Sequence, residues 1–277
     1  MEKRNRFSKE KPVINENVNF RFLDEPYDFI TAYMPGNNLP LEEKKADEKP
    51  PTDERLKESI RLFKMRRWEQ AYKEFQKIKS ENFSVDDQIE LAYFLGLCCT
   101  KLEKFEDAII YLEQVIAAGS DALRSYQCRM TVAYIYLVTK RSKMAEYELK
   151  RLKKNGFESA SLYNSLAYAS YIEKQYKKAI DLYEKALELD ENNATAINCI
   201  GFILADSGID RMRGLRYCRK AVDINPQSAA YLDSLGWAYY KCGETAEART
   251  WLRRALQAAP HEKEIKEHLR IVSGGTR

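Results

Sequence analysis

Two asparagines and four aromatic residues recur at nearly even intervals in the middle of this 277-residue chain. Asn164 and Asn198 stand 34 residues apart; Tyr134, Tyr168, Phe202 and Trp237 keep almost the same interval. An amide carries a donor and an acceptor, so one side chain can bond both polar groups of an extended peptide backbone. Aromatic rings offer flat apolar area at small entropic cost. The residues suited to metal or covalent chemistry show no such order. Cys98, Cys99, Cys128, Cys199, Cys218 and Cys242 include no C-x-x-C pair, and the chain has only two histidines, His261 and His268. That excludes the known zinc spacings. No G-x-S-x-G or P-loop motif occurs. Most of the cysteines fall on apolar helix stripes, where a thiol acts as a small hydrophobe and its thiolate is disfavoured. Reduced core thiols, surface histidines, no cofactor, no metal and no catalysis are the expectations.

Composition is consistent with a binding role. Hydrophobic residues make up 44% and charged residues 32%, the mixture of an ordinary globular protein. The net charge of +4 is too small to imply nucleic acid by itself. No run of 18 apolar residues predicts a membrane span, and the basic start Met1–Arg6 is not followed by an apolar core. The expected location is the cytoplasm.

The elements that must carry these residues appear once the chain is read for repeats. Ala71, Ala108, Ala145, Ala179, Gly214 and Ala248 fall in register, with successive spacings of 37, 37, 34, 35 and 34 residues. Around the last of them, Leu232, Leu235-Gly236, Tyr239, Gly243, Ala248, Leu252, Ala255 and Pro260 stand in order. Small residues at Gly236 and Ala248 would let two helices approach closely, with Leu235, Tyr239 and Leu252 filling the space between them. Pro260 would end the second helix. The same skeleton recurs as Ile200-Gly201, Leu204, Gly208, Gly214, Ala221 and Pro226, with one extra residue near Ile209-Asp210. It recurs again as Tyr163, Leu166-Ala167, Tyr176, Ala179 and Tyr183, and more weakly around Val132-Ala133, Leu95-Gly96 and Leu62.

These residues resemble the tetratricopeptide repeat family over roughly residues 53–262. The resemblance implies an all-α, right-handed superhelical solenoid of about six helix-turn-helix hairpins. The expected repeats span about 53–87, 88–122, 126–159, 160–193, 194–227 and 229–262. Residues 263–277, with the stripe Ile265, Leu269 and Val272, read as a capping helix and tail.

In this family the first helix of each hairpin lines a concave face. The positions three before and one after the small residue of each Leu-Gly site should then point inward: Tyr93 and Leu97, Met130 and Tyr134, Asn164 and Tyr168, Asn198 and Phe202, Asp233 and Trp237. The expected binding groove is therefore Tyr134, Asn164, Tyr168, Asn198, Phe202, Asp233 and Trp237, for an extended, partly apolar segment of a partner protein. Packing of the same aromatics between neighbouring helices is the competing reading. A carboxylate clamp of the kind some members use is disfavoured, since Lys57 is the lone basic candidate at the inner positions.

Residues 1–52 show no repeat. Glu42–Pro51 reads as a charged linker, and upstream of it lies the aromatic stretch Phe20, Phe22, Tyr27, Phe29 and Tyr33. This stretch either packs on the first repeat, lies in a groove of its own or of a neighbouring molecule, or is presented to a partner. A second reading of the whole chain uses the basic residues of the second helices, Lys140 to Lys154 and Arg211 to Lys220, against RNA or an anionic surface. A third is self-association through the end repeats.

Overall fold

The computed structural model describes residues 54–79 and 83–274; the expectations for residues 1–53 and 275–277 lie outside them. Among the described residues there are thirteen helices and no strand. They are α1 (Glu54–Lys64), α2 (Trp68–Gln76), α3 (Val85–Lys101), α4 (Phe105–Ala118), α5 (Ala122–Val138), α6 (Ser142–Lys154), α7 (Ala160–Ile172), α8 (Tyr176–Leu189), α9 (Ala194–Asp206), α10 (Arg211–Ile224), α11 (Ala229–Lys241), α12 (Thr245–Ala258) and α13 (Lys263–Val272). Each odd-numbered helix up to α11 packs on the helix that follows it, and each even-numbered helix on the next hairpin. The result is an all-α solenoid.

Two local devices set this architecture. The first helices from α3 to α11 start on side-chain caps. Ser84, Asp121, Ser159, Asn193 and Ser228 each accept a bond from a backbone N–H of the first turn, offsetting donors that have no helical partner. The turn from first to second helix is then closed by the backbone. Arg67, Lys104, Arg141, Gln175 and Glu244 donate their N–H groups to carbonyls five residues back, at 2.6–3.0 Å. Such a closure needs a left-handed residue before it. Gly243 supplies it in the last hairpin, at φ 89°. Arg66, Glu103, Lys140 and Lys174 supply it elsewhere, at φ 57–60°, despite their Cβ atoms.

Close helix approach follows from the small residues. A Cβ on Gly236 would sit 2.7 Å from Leu252 Cγ and 3.1 Å from the Ala248 carbonyl. On Gly201 it would meet backbone, at 2.8 Å from Cys218 N and 2.9 Å from the Gly214 carbonyl. The α9–α10 pair is thus in backbone contact. The extra residue expected near Ile209 is found in its connection, which runs from Ser207 to Asp210 where the other hairpin turns have three residues. Asp210 caps α10 by accepting from Arg213 N at 2.9 Å.

Candidate protein-binding face

The first helices α3, α5, α7, α9 and α11 bring the repeated inner positions onto one side of the solenoid. The residues three before the small site form a graded series. In α3, Tyr93 donates its hydroxyl to Gln127 Oε1 of the next first helix, at 3.0 Å. In α5 the position is Met130, buried and apolar. In α7, Asn164 donates from Nδ2 to Asn193 Oδ1 at 3.0 Å, the same oxygen that caps α9 through Ala196 N. Its Oδ1 is buried without a hydrogen-bond partner among the described residues. In α9, Asn198 is 0% exposed, and neither Oδ1 nor Nδ2 has a hydrogen-bond partner among the described residues. In α11, Asp233 is fully engaged, its two carboxylate oxygens 3.0 and 2.9 Å from His268 Nδ1 of α13.

The residue after each small site is aromatic from α5 onward. Tyr134 is half-buried, while Tyr168, Phe202 and Trp237 are buried. Tyr168 stacks on Tyr171 at 6.0 Å between centroids, and Tyr171 meets Phe202 edge-on at 6.4 Å. A small crevice there is lined by Tyr168, Tyr171, Tyr183, Cys199, Phe202 and Ile203. Trp237 lies against the His268 ring at 4.1 Å, and its Nε1–H donates to Asp206 Oδ1 at 2.8 Å. Lys241 Nζ reaches the same oxygen at 3.0 Å.

Three expectations change accordingly. Asp233 and Trp237 are engaged within the fold, since His268 of α13 meets both; at 8% exposure Trp237 is no more closed than Tyr168 at 2% or Asn198 at 0%. His268 is a core residue and not a surface one, at 3% exposure. Its stripe mates are Ile265 and Val272, both buried on the same face of α13. Burial pulls its pKa down, but the Asp233 carboxylate pulls it up by charge and hydrogen bond, with Glu264 and Asp206 adding to it. The net shift is upward, favouring the charged imidazolium beside Asp233. His261 is exposed in the turn before α13, at the surface as expected. Asn164, Tyr168, Asn198 and Phe202 are brought together on α7 and α9, with Tyr134 before them on α5.

The other candidate chemistries are quenched by their surroundings. Burial pushes the Cys199 and Cys128 thiols up to about 12 and Cys99 to about 11, so they stay protonated at neutral pH. No group of three metal-ligating side chains comes together among the described residues. No described helix is long and apolar enough to cross a membrane. Many of the basic residues of the second helices are met by carboxylates. Arg141 pairs with Glu106, Lys150 and Lys178 both reach Glu146, Arg151 reaches Glu148, and Arg213 reaches Glu184. Lys57, the one basic candidate for a carboxylate clamp, bonds Glu54 at 2.9 Å.

Comparison with known proteins agrees with this geometry. Family matches described as TPR repeat or tetratricopeptide repeat cover residues 89–118, 167–208 and 229–262. The TPR repeat-containing protein PA4667 of Pseudomonas aeruginosa is 39% identical over 80 residues, 29% of this chain and 13% of that protein. Photosystem I assembly protein Ycf3 of a Synechococcus strain is 31% identical over 108 residues, 38% of this chain and 62% of its own. The chain therefore matches less than two thirds of the length of these relatives. Among solved structures, a tetratricopeptide repeat protein from Parabacteroides merdae superposes with a TM-score of 0.64 at 12% identity, covering 79% of this chain and 83% of that one. The APC/C hetero-tetramer Cut9–Hcn1 gives 0.62 at 14% identity, covering 79% and 42%. Repeat spacing, hairpin geometry and family matches agree: residues 89–118, 167–208 and 229–262 are tetratricopeptide repeats.

Proposed function

We propose that this protein is a protein-binding scaffold that takes an extended peptide segment along α7 and α9, held by Asn164 and Asn198 through its backbone. One observation carries the reading: Asn198 is 0% exposed, yet neither polar atom of its amide has a hydrogen-bond partner among the described residues. Leaving such a group unpaired costs about 1–3 kcal/mol. An extended peptide offers a carbonyl and an N–H side by side, which one amide can bond together. The unpartnered Oδ1 of Asn164, one hairpin earlier, extends the same requirement along the face. The rings of Tyr168 and Phe202 supply apolar surroundings in which those bonds are stronger than in water. The name of the relative Ycf3, an assembly protein, is consistent with a scaffold.

The test is selection from a displayed library of random peptides. The intact chain should enrich sequences whose binding falls at least tenfold with Asn198→Ala, while far-ultraviolet circular dichroism stays unchanged. Selected peptides that bind Asn198→Ala as well as the intact chain would overturn the reading. The RNA reading is less favoured: of the basic residues it uses, Arg141, Lys150, Arg151, Lys153 and Arg213 are held by carboxylates of the chain itself.

A further inference from the structure

We infer that the outer helices α10 and α12 form a second docking surface, separate from the α7–α9 face, which takes a carboxylate-rich segment of a partner protein. Charge, register and seating of the side chains each point to it.

The charge is local to the last two hairpins. α10 and α12 together carry eight basic side chains, and Asp223 and Glu247 are their two acidic ones. The outer helix α8 balances three bases against three acids, and α4 carries three carboxylates and no base. α6 is also rich in bases, but its Lys150, Arg151 and Lys153 are held by carboxylates of the chain. On α10 and α12, by contrast, Arg213 alone has a carboxylate partner among the described residues, Glu184.

The exposed bases are in register. Arg219-Lys220 and Arg253-Arg254 stand 34 residues apart, one repeat, so they hold the same two positions of consecutive outer helices. All four are exposed, as is Arg216. A single segment crossing both helices therefore meets a basic pair on each.

The arginines are seated by aromatic rings. Arg219 donates to the Tyr239 hydroxyl from Nη2 at 2.7 Å and from Nε at 3.2 Å, and its guanidinium lies 5.1 Å from the centre of that ring. Arg254 lies over the Trp251 ring at 4.4 Å. Both rings pack against the same apolar cluster, so they fix the guanidinium groups without neutralising them. A guanidinium is a rigid fork that can bond both oxygens of a carboxylate, and seating it in advance lowers the entropy lost on binding. This distinguishes the occupant. A bilayer asks only for charge, and single-stranded nucleic acid asks for open aromatic faces, whereas these rings are covered by the arginines.

The experiment follows the fluorescence anisotropy of a labelled deca-glutamate peptide titrated with the full chain at low salt. The intact chain should bind it. Arg219→Lys with Arg254→Lys keeps the charge and removes the forks, and should weaken binding about fivefold with unchanged circular dichroism. Lys143→Gln with Lys154→Gln, on α6, removes two charges and should weaken it less than about twofold. No binding by the intact chain, equal binding by the lysine variant, or a larger loss from the α6 variant would overturn the inference. Vesicles of phosphatidylserine in phosphatidylcholine and a ten-nucleotide oligouridylate are titrated in parallel. Tighter binding of either one, lost in the lysine variant, would assign the surface to a membrane or to RNA instead. Asn198→Ala should leave deca-glutamate binding unchanged, so this surface and the α7–α9 groove fail independently. A loss with Asn198→Ala would put the acidic peptide in the groove and contradict a second surface.

Discussion

Asn198 and Asp233 occupy the same position of consecutive hairpins, 35 residues apart, and both are buried. Asp233 is met by His268 from the capping helix, whereas the amide of Asn198 is hydrogen-bonded by no described residue. The difference shows how a repeat protein separates structure from recognition on one face. At the end of the stack, the inner polar residue is spent on holding α13, which covers the last hairpin. One repeat inward, a neutral amide is used. It tolerates burial without a counter-ion and can bond a backbone of any sequence.

The largest expected effect comes from breaking the satisfied member. His268→Ala leaves the Asp233 carboxylate buried without its partner. It should lower unfolding stability by about 3–5 kcal/mol, read from urea denaturation. A loss below about 1 kcal/mol would mean that the pair is not buried in solution. The unsatisfied member should respond in the opposite direction. Asn198→Leu should raise stability by about 1–3 kcal/mol, because it deletes polar atoms left unpaired among the described residues at similar volume.

The contrast sharpens with pH. The folded His268 value is raised above its ordinary value of 6.5. Its contribution is therefore fully present below about 6.5 and lost as pH rises through the folded value. Wild type should lose stability over that window relative to His268→Gln, whereas Asn198→Leu should leave the slope unchanged. Parallel curves for wild type and His268→Gln would show that the ion pair contributes nothing. The smallest effect lies away from both sites. Lys140→Gly should stabilise by about 1 kcal/mol, relieving a side chain held at φ 59°. A destabilisation would show that the left-handed turn is not strained.

The hairpins were legible in the sequence because close packing demands small residues at fixed intervals. Gly201, Gly214 and Gly236 could not carry a Cβ without collision; Gly201 and Gly236 stand one repeat apart on first helices, and Gly214 stands one repeat before Ala248 on second helices. The four-residue Ser207–Asp210 connection was equally visible as one extra residue. The left-handed turns at Arg66, Glu103, Lys140 and Lys174 were hidden, since the backbone closure imposes that conformation on polar residues that do not advertise it. His268 was misread for a similar reason. Histidine on a short charged helix reads as surface, and only its place three residues after Ile265 and four before Val272 marks it as part of the buried stripe. The inner asparagines were found by their 34-residue spacing, but spacing alone could not show that Asn164 is half satisfied and Asn198 not at all.

The most direct test of the central claim is the urea midpoint of Asn198→Leu beside the wild-type chain. A higher midpoint at unchanged slope is predicted, because the amide would have no partner within the fold. A lower midpoint would show that the fold itself bonds Asn198, and the α7–α9 face would lose its claim as the binding site.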